Sequence, residues 1–170
     1  MFGTLMSARA RYESELQRQL RDLICLAVVG DHVRWVLTDD DELGDWLAEA
    51  AGEWRGWAEQ VATQLVASDV APDGRVRSLA KDIPLHWVPE GWLSGGDARR
   101  LIAERLALVA EWARYRHSHS KGADAELLDL VASGLEAQLR ARRKNGQIHT
   151  ERERRSQNAA VRAERVRADQ

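Results

Sequence analysis

Apolar residues recur at helical spacing through the first quarter of the chain. Leu16, Leu20, Leu23, Ala27, Gly30 and Arg34 follow one another three or four places apart, with Ile24, Val28 and Trp35 widening the stripe. That period predicts an amphipathic helix over about residues 8–37. It places Arg34 on the apolar face and turns His32 some 160° away from it, at about 100° per residue.

A second stripe follows the acidic run TDDDEL: Leu43, Leu47, Ala50, Trp54, Trp57, Val61 and Leu65. Asp39 with Glu42 three places on reads as a capping box, and carboxylates in a first turn suit the helix dipole. The same acidic cluster is read as cap and solvated loop, not as a metal site. Residues 71–94 hold all three prolines, Pro72, Pro84 and Pro89, and form a connection with one short helix over about 76–81. Ser94 with Asp97 then opens a third long helix, to about residue 117, whose inward face is Leu101, Leu106, Val109, Trp112 and Ala113. A fourth, over 124–144, presents Leu127, Leu128, Val131, Leu135 and Leu139, and Asn145–Gly146 is its stop signal.

Four long helices with one long connection between the second and third predict an all-α, ferritin-like four-helix bundle. The bundle is expected over residues 1–146 and a separate basic tail over 147–170. No strand pattern, internal repeat or phosphate-binding glycine loop is present.

The 170 residues are 44% apolar and 31% charged, enough for one packed domain. Cys25 is the sole cysteine, so no internal disulfide can form, and a reducing, cytoplasmic setting is expected. The longest apolar run, 23–29, is too short to span a bilayer, and the first residues lack the apolar core of a signal peptide. The net charge of −2 conceals an asymmetry. Residues 1–139 carry 15 basic against 23 acidic side chains, and residues 140–170 carry 10 against 4.

The segments LQRQLRDLICLAVVGDHVRW, WRGWAEQVATQL followed by PDGR, IPLHWVPEGWLS and AELLDLVASGLEAQLRAR, in that order, resemble the Dps family of DNA-binding miniferritins, actinobacterial members above all. The likeness covers about residues 16–143. It implies a four-helix subunit, a twofold dimer and a hollow shell of twelve. It also implies ferrous iron oxidation at a site shared across the twofold axis. There the family uses a His before a Trp on the first helix, a His and an Asp on the second, and an Asp and a Glu from the mate.

Mapped onto this chain, those positions are Arg34, Gly44 and Ala48, with Glu59 and Thr63 contributed by the mate. Only Glu59 could bind a cation. Sliding the second helix gives Trp46, Ala50, Val61 and Leu65, and sliding the first puts His32 in place of Arg34; neither rebuilds the set. A guanidinium does not deprotonate to coordinate iron and repels Fe²⁺. The expectation is therefore no catalytic residue, no bound metal and no cofactor. His32 is read as a surface or subunit-contact residue, His117 and His119 with Glu111 as a solvated helix end, and His86 beside Trp87 as structural. Trp46, Trp54 and Trp57 are expected in subunit contacts.

Arg152, Arg154, Arg155, Arg162, Arg165 and Arg167 in the tail are the candidate DNA contacts, neutralising phosphate without reading sequence. Two readings result. One is a Dps-like stress-protection or nucleoid shell protein that lacks ferroxidase activity and binds DNA through its tail. The other is an iron-storing miniferritin with relocated ligands, for which iron would be the cargo.

Overall fold

The computed structural model describes the backbone of residues 2–82 and 88–144, and side chains 15–80 and 88–144. Five helices account for most of it: α1 (Phe2–Val36), α2 (Asp41–Ala67), α3 (Val76–Asp82), α4 (Gly95–Ser118) and α5 (122–144). The all-α bundle with a short helix in the long connection is thus as the periodicity predicts. Pro84, His86, Trp87, the Asn145–Gly146 stop signal and the tail arginines lie outside the described residues.

The core forms where the stripes meet. Leu16, Leu20, Leu23, Ala27 and Val33 of α1 face Leu43, Leu47, Trp54, Val61 and Leu65 of α2, with Ile102, Leu106 and Val109 of α4 and Leu128, Val131 and Leu135 of α5 closing the other side. Trp54 is fully buried, and its indole N–H donates to Gln138 Oε1 on α5 at 2.8 Å. It lies against Gly30, where a β-carbon would come within 2.7 Å of the indole ring. Gly134 of α5 leaves the corresponding space for Trp57. Trp54 is therefore covered within the chain itself, not by a subunit contact, and half-buried Trp46 and Trp57 pack partly against the same core. Glycines inside helices, away from any turn, are the sequence trace of these close approaches.

The route of the connection sets the topology. Gln17 near the start of the bundle accepts from and donates to the Asp73 backbone, at 2.8 and 2.7 Å. At the opposite end of α1, Leu93 N donates to Val36 O at 2.9 Å and Thr38 N to Leu93 O at 3.1 Å. The stretch of α1 from Gln17 to Val36, about 28 Å at 1.5 Å per helical residue, thus separates the two ends of the connection, Asp73 and Leu93. That return puts the N-termini of α2 and α4 side by side and makes the two helices parallel, the crossover of ferritin-like bundles.

The paired N-termini explain a shift in the caps. The cap of α2 is Asp40, not Asp39: its carboxylate accepts from Leu43 N at 3.0 Å and pairs with Arg99 of α4 at 2.6 and 2.8 Å. Asp39 serves α4 instead, accepting from Gly95 N at 2.6 Å. Ser94 caps α4 as expected, accepting from Asp97 N at 3.2 Å.

Candidate functional site

The last turn of α1 and the first two turns of α2 border a cavity of about 430 Å³. Arg34, Gly44 and Ala48 all line it, so the structure brings together three of the five mapped positions. Its remaining polar lining is Asp40, Asp41 and Asp45. Arg34 is exposed, not inward-facing: Val33, one residue earlier, takes the core position with no accessible surface. Among the described residues Arg34 has no hydrogen-bond or ion-pair partner.

The donor chemistry of this cavity is poor for a transition metal. Gly44 and Ala48 offer no side-chain ligand. Asp40 is committed to its cap and to Arg99. That leaves the Asp41 and Asp45 carboxylates beside a permanent cation, with no imidazole. No group of three or more His, Cys, Asp or Glu side chains among the described residues could hold a metal ion. Where iron oxidation needs several anionic or imidazole donors and an open position, this lining supplies two donors and a repelling charge.

Glu59 and Thr63 lie farther along α2, both exposed, with Thr63 Oγ1 donating to the Glu59 carbonyl at 2.9 Å. Neither borders the cavity of its own subunit. His32 is half-buried and lines a different, apolar groove with Val28, Trp35 and Pro89. His117 ties the α4–α5 turn, its Nδ1 2.9 Å from the Ala125 carbonyl, and His119 packs on Tyr115 one turn earlier in α4, ring centroids 4.3 Å apart.

Two charged clusters escaped the sequence reading. At the far end of the bundle the Arg116 guanidinium, 7% exposed, meets Glu15 at 3.3 Å, Gln19 at 2.8 Å and Asp22 at 2.7 Å. Glu15, Gln19 and Asp22 at spacings of four and three on α1 were its only trace. Near the cavity, Arg142 of α5 lies 4.5 Å over the Trp46 ring. Burial lowers the pKa of its guanidinium, the nearby Glu42 carboxylate opposing that shift.

No protein-family model and no curated protein sequence matches the chain. Solved structures do. A Mycobacterium smegmatis Dps in a tetragonal form matches with a TM-score of 0.75 at 18% identity, over 82% of this chain and 87% of that one. Dps92 from Deinococcus radiodurans matches at 0.73 and 19%, over 79% and 87%. A Dps from Microbacterium arborescens in its high iron form matches at 0.67 and 18%, over 80% and 90%. The described bundle therefore has the Dps miniferritin fold. No helix among the described residues is long and apolar enough to cross a membrane.

Proposed function

We propose that this chain is the subunit of a Dps-like shell, acting in stress protection or at the nucleoid, that has given up iron oxidation at the position where miniferritins perform it. The observation that carries this reading is the cavity lining: Arg34, Gly44 and Ala48 stand together and supply a cation and two side chains without donor atoms. We place the subunits first in a twofold dimer and then in a shell of twelve. Across the twofold axis, Glu59 of the mate pairs with Arg34, since both are exposed and Arg34 is unpaired within the described subunit. Guanidinium and carboxylate satisfy each other by a two-pronged contact, so charge pairing takes the place of metal. A subunit mass measured by light scattering at micromolar concentration would overturn the assembly.

The test of the chemistry is anaerobic Fe²⁺ titration followed by oxygen. The expected rate equals that in buffer, and a saturable, protein-dependent oxidation would overturn the reading. The converse variant combines Arg34→His, Gly44→His, Ala48→Asp and Thr63→Glu beside the native Glu59. Space is available, as a β-carbon at Gly44 meets only Leu37 at 3.8 Å. That variant should gain protein-dependent oxidation. The high iron form of the Microbacterium neighbour supports the second reading, iron storage through relocated ligands, and the same titration decides between them.

The basic tail is proposed as the DNA contact, through Arg152, Arg154, Arg155, Arg162, Arg165 and Arg167. An acidic body is repelled by phosphate, and the end of the chain reverses that charge. With about three phosphates neutralised per tail, log affinity should fall with log salt at a slope near −2.7. Truncation after Gly146 should abolish retardation of duplex DNA at low salt and leave assembly unchanged. Failure of the intact protein to shift DNA at about 50 mM salt would refute the tail's role.

A further inference from the structure

The parallel arrangement of α2 and α4 brings the C-terminal end of α5 to the start of α2, and the two surfaces meeting there carry opposite charge. From Asp41 to Trp54, α2 contains five carboxylates and no lysine or arginine. Glu42, Asp45, Glu49 and Glu53 are all exposed and fall on one arc of the helix, bordered by Trp46. Asp45 and Glu49 have no ion-pair or hydrogen-bond partner among the described residues. A solvated acidic face would leave such side chains as they are, but two further facts point to an occupant.

The first is where the chain goes. The last turns of α5 carry Arg140, Arg142, Arg143 and Lys144, and Arg142 already rests on this border, 4.5 Å over Trp46 with Glu42 acting on its charge. The second is reach. From Lys144 to Arg152–Arg155 is eight to eleven residues, up to about 26–36 Å extended, against a helix about 10–12 Å across. The described fold ends at Lys144 beside the face, within reach of it for the arginine-rich segment that follows. Tethering makes the encounter intramolecular, so modest pairs suffice.

We infer that residues 150–156 of the tail dock on the acidic face of α2 in their own subunit, Arg152, Arg154 and Arg155 meeting Asp45 and Glu49. The docking stands whether or not the tail binds DNA; where it does, the face and the phosphates compete for the same arginines. Trypsin cleavage after Arg155 in the full chain reads it directly. At low salt, cleavage should be about three- to tenfold slower than in an Asp45→Asn, Glu49→Gln variant, for two exposed pairs lost. The difference should vanish at about 0.5 M salt, where screening is nearly complete. A Glu104→Gln, Glu126→Gln variant removes the same charge from exposed sites elsewhere and should keep the slow rate. Equal cleavage of the natural chain and the α2 variant at low salt overturns the inference. So does release by the control variant, or a rate that depends on protein concentration, which would place the tail on another copy. Because no DNA is present, the result is independent of whether the tail is a DNA arm.

Discussion

Replacing Gly30 with alanine should destabilise this protein, although alanine is the better helix former. On propensity alone the change stabilises by about 0.8–1 kcal/mol. Against that, the new methyl group would lie 2.7 Å from Trp54 Cζ3, inside any ordinary contact. The indole has little freedom to retreat: it has no accessible surface, donates to Gln138 at 2.8 Å and meets Trp46 edge-on at 6.1 Å. Overpacking of this kind costs about 1–3 kcal/mol, so the net effect is a loss of about 1 kcal/mol. The sign should reverse when the obstruction is removed. In a Trp54→Leu background, itself less stable by about 3 kcal/mol or more, Gly30→Ala should stabilise by nearly the full propensity gain. Urea unfolding of the four proteins, at one fixed concentration because assembly shifts apparent stability, gives the coupling directly. The expected coupling is about 1–3 kcal/mol. If Gly30→Ala stabilises both backgrounds equally, the close approach does not constrain the core and the account of Gly30 fails.

Three further outcomes follow from the charged contacts. Arg116→Ala should cost about 3–5 kcal/mol in urea unfolding, because it leaves Glu15 and Asp22 together without their buried cation; a loss below about 1 kcal/mol would show the cluster to be solvated. Asp40→Ala removes a helix cap and the partner of Arg99 at once, whereas Ser94→Ala removes only a cap, so the first should be the larger loss, the second about 1 kcal/mol, and the reverse order would refute the shared node. Hydrogen bonds from Arg75 and then Ser78 hold the Asp73 carboxyl well below its ordinary value of 3.8. A depressed folded-state pKa means that its contribution is complete above 3.8 and is lost only as the pH falls toward the lower folded value. Asp73→Asn should therefore make the 71–78 segment more susceptible to proteolysis at pH 4 and at pH 7 alike, and equal susceptibility of both proteins at pH 4 would contradict the shift.

The helices were legible because burial writes a 3.6-residue period into the sequence, and Leu43, Leu47, Trp54, Val61 and Leu65 could hardly be read otherwise. The start of α1 lies six residues before the expected residue 8. Phe2, Leu5 and Met6 stand at helical spacing, but the stripe breaks between them and Leu16, and extending a helix already nucleated adds one hydrogen bond for each residue fixed. The cap of α2 was misplaced by one because three consecutive aspartates can each cap locally. The choice is made by Arg99 and Gly95, which are distant in sequence. Arg34 was placed on the core face because Gly30 is followed at spacing four by Arg34 and at spacing three by Val33, and periodicity alone does not choose between them. Trp54 was assigned to a subunit contact because an aromatic stripe does not say which partner covers it. The small residue facing it, Gly30, was the overlooked sign of an internal one. The cavity between α1 and α2 has no motif of its own. Only the family resemblance marks its positions in the sequence.

The pairing of Leu37 with Leu93 is small in the folded structure, but it weighs heavily on how that structure is reached. The hydrogen bond from Thr38 to Leu93 spans 55 residues, enclosing the whole of α2 and α3. Closing a flexible loop of that length costs about 3.5 kcal/mol beyond a constant, more than two backbone hydrogen bonds return. The α1–α2 hairpin, by contrast, is joined through four residues and brings its core together almost locally. Folding should therefore begin in that hairpin, and the clasp should close only once α4 has docked and its N-terminus stands beside that of α2. Transient opening in the folded state retraces the last step first. Amides of the returning strap should exchange with solvent well before those of α2, and the clasp then works as a latch on α4.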